Sequence, residues 1–258
     1  MVDVQREADH RGIDIDKVGV KNIRYPIVVL DKRNGTQATV ANVNMYVNLP
    51  HNFRGTHMSR FIEILNDFKG EINIKDFPRI LKAMKERLEA ESAHMEIDFP
   101  YFIEKEAPVT GSRSLMEYNC TFRGSLSDRK DFILTVEVPV TTLCPCSKEI
   151  SNFGAHSQRS RVTVSLRFKK LIWIEDIIEL VEGCASSDIY PLLKRPDEKF
   201  ITERAYENPK FVEDVVREVA LKLAAHEGIS WFAVESENME SIHNHNVYAF
   251  VERGVKRA

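Results

Sequence analysis

The chain has 258 residues, 43% of them hydrophobic and 29% charged, enough apolar material for one large or two small globular domains with a sizeable core. A formal net charge of −3 gives no overall attraction for nucleic acid or an anionic membrane, although a local basic patch can still meet a phosphate. No run approaches the roughly 18 apolar residues of a membrane span. The opening MVDVQREADHRG has no apolar signal core, and four cysteines in a chain this long make no disulfide framework, so a cytoplasmic protein with reduced thiols and a small partner is expected.

Residues 20–30 (VKNIRYPIVVL) and 36–49 (TQATVANVNMYVNL) read as two strands joined by an Asp31–Gly35 turn, whose Asn34-Gly35 pair is a hairpin signal. Two helices follow. The first, about 57–68, sets Met58, Phe61, Ile62 and Leu65 at helical spacing. The second, about 75–91, does the same with Ile80, Leu81, Met84 and Leu88 and carries Pro78 in its first turn. Strand-like runs return at about 94–106 and 113–125.

From residue 130 the order begins again, with DFILTVEVPVTTL and RVTVSLRF (161–168) as strands. Helices are expected at 173–183 and 209–227, the second lined on one face by Phe211, Val212, Val215, Val216, Val219 and Leu223 and stopped by Gly228. Strands at about 229–237 and 245–252 close the set.

Strand pairs flanking helix pairs predict an α+β fold with antiparallel sheet, because parallel units would alternate strand and helix singly. The expected organisation is an N-terminal segment over 1–19, a first ββααββ module over 20–128 and a second over 129–258. Open sheet edges in such modules favour closure into an oligomeric ring.

One stretch interrupts the second module. In TTLCPCSKEISNFGAHSQR (141–159) the alternation of the preceding strand stops at Leu143-Cys144-Pro145-Cys146, and Pro145 ends regular pairing. Cys144 and Cys146 with His156 supply the thiolate and imidazole ligands that zinc takes, and a catalytic site needs three protein ligands and an open position. The same residues could be small hydrophobes beside a turn, or a nucleophilic cysteine paired with His156. Lys148, Arg159 and Arg161 add positive charge that suits a phosphate group, and solvated loop charge explains them equally well. Glu240, His243 and His245 in MESIHNHN sit on a strand-like run, where alternating histidines can serve as acid, base or outer ligand. His57 and the isolated Cys120 and Cys184 are assigned structural roles.

LCPCSKEISNFGAHSQRSRV, together with HNFRGTHMSRFIE (51–63), KRPDEKFITERAYENPKFVEDVVRE (194–218), ENMESIHNHNVYAF (237–250) and the early ADHRG, resembles type IB GTP cyclohydrolase I. The resemblance spans both modules. It implies a tunnelling fold of two ββααββ units per chain, assembled as a homotetramer around barrels of antiparallel strands. It also implies hydrolytic opening of the GTP imidazole ring, release of carbon 8 as formate, and reclosure to 7,8-dihydroneopterin triphosphate, the first step toward tetrahydrofolate. The implied cofactor is a divalent metal, zinc or manganese, held by Cys144, His156 and Glu198, a mixed-softness set that suits more than one metal. Glu213 in KFVED matches the family's anchor for the guanine N1 and 2-amino edge, although by periodicity alone it lies off the apolar face of its helix. Cys146 is placed nearby as a reactive thiol, since the type IA enzymes use two cysteines and a histidine whereas the type IB pattern substitutes a carboxylate. Two other readings compete: a nitrile reductase relative with a nucleophilic cysteine and NADPH, and a structural metal clasp in an oligomeric binding protein.

Overall fold

The structure is a computed structural model that describes residues 5, 7, 9–68 and 76–254. β1 (Ile15–Asp31) and β2 (Gly35–Leu49) form an antiparallel hairpin in which Asp31 faces Gly35. Asp31 builds the turn by accepting N–H groups from Arg33 at 2.9 Å and Asn34 at 2.6 Å on Oδ1, and Gly35 closes it at a φ of +81° that disfavours any side chain. β1 starts at Ile15 rather than at Val20, so the end of the expected N-terminal segment belongs to the sheet. The rest of that segment lies partly outside the described residues, as does the expected start of the second helix at residue 75.

α1 (Met58–Asp67) and α2 (Phe77–Arg87) carry the helical apolar faces of this half. α2 buries Ile80, Leu81 and Met84, as its spacing predicts, together with Phe77 at its start, and Leu88 is buried as its C-cap residue. α1 differs from expectation: Phe61, Ile64 and Leu65 are buried while Met58 and Ile62 stay exposed, because the face turned inward is rotated by part of a turn. β3 (Ala93–Glu106) and β4 (Arg113–Leu126) follow, close to the predicted bounds.

The second half begins with β5 (Lys130–Leu143) and continues through α3 (Pro145–Ile150), β6 (Ser157–Phe168), α4 (Ile174–Glu182), β7 (Ser187–Asp188), α5 (Arg195–Glu207), α6 (Val212–Ala225), β8 (Ile229–Asn238) and β9 (Val247–Gly254). The expected ββααββ order is therefore supplemented by α3, β7 and α5. Phe211, expected on the apolar face of α6, is instead its half-exposed N-cap residue. Among the described residues the strands form one nine-stranded sheet in the order β1-β2-β3-β4-β5-β6-β8-β9, with β7 paired antiparallel to β5. This is the expected α+β architecture. No helix among the described residues is long and apolar enough to cross a membrane.

By contacts the chain divides into two compact units, residues 1–100 with 121–134 and residues 101–120 with 135–258. In the first, Phe77, Phe99, Phe122 and Phe132 form an aromatic cluster with tilted and edge-on contacts at centroid distances of 4.8 to 6.4 Å. In the second, Lys105 and Tyr118 both donate to Glu182 Oε1, at 2.7 and 2.8 Å, inside the fold. Burial raises the Glu182 carboxyl above its ordinary value, while the Lys105 ammonium works in the opposite sense. Cys120 and Cys184 are buried free thiols, and burial pushes the Cys120 thiol far above its usual range, so both are packing residues.

Candidate active site

Three neighbouring strands of the second unit change character at the same end. The buried face of β5 runs Leu134, Val136, Val138, Val140 and then Thr142; that of β6 runs Leu166, Val164, Val162 and then Ser160 and Gln158. β8 runs Phe232 and Val234 and then Ser236 and Asn238, with Ser160 opposite Asn238 and Val162 opposite Ser236. Alternation thus carries apolar residues into the core and a polar floor beneath the loop that separates β5 from β6.

That loop is closed on itself by backbone and side-chain bonds. Cys144 N–H donates to the His156 carbonyl at 3.1 Å. His156 N–H donates to Ser147 Oγ, also at 3.1 Å, and Ser147 Oγ donates to the Cys144 carbonyl at 3.2 Å. Cys144 is the N-cap of α3, and its Sγ accepts the Ser147 N–H at 3.5 Å. Pro145, which reads as a strand stop, occupies the first position of this short helix, where its missing N–H is no loss. Cys146 is exposed on α3.

His156 stands on the polar floor. Its Nδ1 lies 3.0 Å from Gln158 Oε1 and 3.8 Å from Glu240 Oε2, with both the imidazole and the Glu240 carboxylate largely shielded from solvent. Gln158 Nε2 donates to Thr142 Oγ1 at 3.1 Å, Thr142 Oγ1 and Ser160 Oγ are 2.8 Å apart, and Ser160 Oγ donates to Asn238 Oδ1 at 2.7 Å. Thr142, Gln158, Ser160 and Asn238 are all buried, and each has a partner, as buried polar groups require.

The other sequence-predicted residues occupy separate positions. Lys148 donates to the Tyr206 carbonyl and places its ammonium 4.4 Å from the centre of the Tyr206 ring, tying α3 to the end of α5. Arg161 pairs with Glu237 at 2.7 Å. Exposed Arg159 lines a cavity of about 180 Å³ with Glu117, Asn119, Glu137, Arg161 and Met239. Glu213 is exposed in the first turn of α6 and Glu198 is exposed in the first turn of α5. His243 and His245 lie in the loop before β9 rather than on a strand, with their rings stacked 5.0 Å apart. Polar Ser241, Asn244 and Asn246 leave that segment without a β-alternation, which corrects the strand-like reading. His57 is the N-cap residue of α1, without a side-chain capping bond.

Asp197, beside Glu198, is fully buried. Its carboxylate accepts the Val109, Thr110 and Lys194 N–H groups at 2.9 Å each and the Thr110 hydroxyl at 2.7 Å, fastening the start of α5 to the β3–β4 turn. Burial alone would raise its pKa, but the bonds from Thr110, Lys194 and Val109 outweigh it and hold the carboxyl well below the usual range. The residues that sequence reasoning missed are Asp197 and the polar quartet Thr142, Gln158, Ser160 and Asn238. The available signal for the quartet was polar residues at core-facing positions of strands.

The donor types of the loop suit a divalent metal, since a cysteine and a histidine are joined by a backbone hydrogen bond and Nδ1 of His156 is engaged by Gln158. Among the described residues, however, no group of three or more His, Cys, Asp or Glu converges closely enough to hold a metal ion, so Glu198 does not join the pair into a three-donor cluster.

Fold and site together define an α+β protein of the tunnelling-fold class. Similar solved structures are uricase from Arthrobacter globiformis, at 11% identity over 94% of this chain and 95% of that one with a TM-score of 0.53, and urate oxidase from Bacillus sp. TB-90, at 9% identity over 93% and 100% with a TM-score of 0.56. At these identities the likeness is one of fold alone. The family model described as Type I GTP cyclohydrolase folE2 matches residues 1–249, and the chain belongs to that family. It is 62% identical to GTP cyclohydrolase FolE2 of Geobacter sulfurreducens over 100% of both chains. It is 63% identical to that of Syntrophus aciditrophicus over 98% of this chain and 100% of the relative.

Proposed function

We propose that the protein is a metal-dependent GTP cyclohydrolase of type IB, opening the imidazole ring of GTP, releasing formate and reclosing the remainder to 7,8-dihydroneopterin triphosphate. The observation that carries the reading is the full-length match to the family together with the Cys144 and His156 pair in a hydrogen-bonded loop over a buried polar floor. Cys144 and His156 would hold the divalent metal, zinc or manganese; Glu198, which stands apart from the pair in the single chain, is proposed as third protein donor on the family motif alone. When bound, such an ion supplies Lewis acidity and an activated water at neutral pH.

The remaining roles belong to the chain's own side chains. Glu213 accepts the N1 and 2-amino hydrogens of guanine, a paired contact that a base lacking those donors leaves unmade. Arg159 meets the triphosphate from the cavity beside β6, while Lys148 keeps α3 docked on α5. Glu240 lies 3.8 Å from Nδ1 of His156 and helps to hold that ring, and Cys146, His243 and His245 are further residues assigned to the site. The working form is a homo-oligomer, proposed as a homotetramer, in which the open edge strand β9, with exposed Tyr248 and Phe250, is paired by another copy.

Protein stripped with a chelator and reloaded with zinc or manganese should turn over GTP to formate and dihydroneopterin triphosphate, identified by mass, and Cys144→Ala should abolish this turnover. A folded oligomer inert with both metals, or a fully active Cys144→Ala variant, would refute the assignment.

A further inference from the structure

With Asn238 turning its Oδ1 toward Ser160, the buried polar chain runs in one direction. Ser160 has a single hydroxyl proton and gives it to Asn238 Oδ1, so the 2.8 Å contact with Thr142 must be donated by Thr142. Thr142 Oγ1 has then given its own proton and accepts the one offered by Gln158 Nε2. This fixes the Gln158 amide with its nitrogen toward Thr142 and its oxygen toward His156, 3.0 Å from Nδ1. An amide oxygen can only accept, so His156 carries its proton on Nδ1. The Glu240 carboxylate, 3.8 Å from the same nitrogen, favours the same state.

We infer that Gln158 is a positioning residue that holds His156 as the Nδ1–H tautomer and presents its Nε2 lone pair to the loop, with the orientation of Gln158 set in turn by Thr142, Ser160 and Asn238. The ligand that Nε2 meets is the divalent metal of the reading above, and in that respect the inference rests on it. The consequence is pre-organisation. Three strands, β5, β6 and β8, each contribute a link, so the imidazole is oriented before any ligand arrives, whereas a freely turning ring would have to be selected on binding.

Nitrogen-15 NMR of selectively labelled histidine in the metal-free, full-length protein tests the tautomer directly, the His156 signals being those missing from a His156→Gln variant. The wild type should show Nε2 as an unprotonated ring nitrogen and Nδ1 as a protonated one. Finding the proton on Nε2, which reversing every donor in the chain would produce, overturns the inference. Gln158→Leu should scramble the tautomer and weaken zinc binding, measured by chelator competition, by about 10- to 100-fold, while Gln158→Glu, which keeps the acceptor, should restore both. Where Gln158→Leu does not fold, Ser160→Ala provides the second test by breaking the chain two links away, and it should also mix the tautomers. A folded Gln158→Leu or Ser160→Ala variant with an undisturbed Nδ1–H signal overturns the assignment. A wild type with Nδ1–H in place but no affinity for zinc or manganese would refute the metal reading and leave the tautomer assignment standing.

Discussion

The ammonium of Lys148 in α3 sits 4.4 Å from the centre of the Tyr206 ring in α5 and donates to the carbonyl of the same residue. The Lys210 N–H adds a 3.0 Å bond to the Leu143 carbonyl, just before Cys144. The loop that carries Cys144 is therefore fastened to the far end of the helix that carries Glu198. Lys148→Ala should lower stability by about 1 kcal/mol and speed amide exchange in the last turn of α5, with little change in KM for GTP. If Lys148 instead binds the triphosphate, KM rises and amide exchange stays as in the wild type.

The other end of α5 hangs on Asp197. Asp197→Ala should leave the Val109 and Thr110 N–H groups without their acceptor and lower the unfolding midpoint, with Asp197→Asn intermediate because one acceptor remains. The carboxyl is depressed in the folded state, so the folded protein binds this proton less readily than the unfolded chain. Its contribution is complete above the ordinary value of 3.8 and is lost as pH falls through the lower, folded value. Denaturation of wild type and Asp197→Ala at several pH values checks this: the gap between them should be constant near neutrality and narrow only in strong acid.

Gly124 in β4 faces the ring of Phe77, and a Cβ added there would lie 2.4 Å from Phe77 Cε1. Gly124→Ala should destabilise the protein by ~1–3 kcal/mol through overpacking of the aromatic cluster, measured by urea unfolding. Adding Phe77→Leu should recover part of that loss, because the shorter side chain vacates the contested space.

Glu213 is proposed to read the guanine edge, and inosine triphosphate lacks the 2-amino group that a carboxylate there would accept. The wild type should prefer GTP by roughly 100-fold in kcat/KM, the equivalent of ~3 kcal/mol. Glu213→Gln should erase most of that preference while leaving the bound metal content unchanged. An unaltered preference would remove Glu213 from substrate recognition.

The antiparallel α+β order was legible because the strands alternate and α2 and α6 carry apolar stripes. α5 was not, since only Asp197 and Ala205 of its thirteen residues are buried and no apolar periodicity marks it. α3 is a six-residue helix that begins at a proline, so its first signal reads equally as the end of a strand. Cys144 and His156 were visible as a motif, and Glu240 is brought beside His156 as a loop residue distant in sequence. Gln158 and Asn238 went unread because an isolated polar residue in a strand pattern suggests the solvent face, and only the pairing of β5, β6 and β8 shows them meeting underneath the site.

The most direct test of the central claim is the fate of carbon 8 when the metal-loaded protein is given GTP labelled with carbon-13 at that position. All converted label should appear as formate, in equal amount to unlabelled dihydroneopterin triphosphate. Label retained in a ring-opened formamide or in the pterin, or GTP left intact by a folded and metal-loaded oligomer, would contradict it.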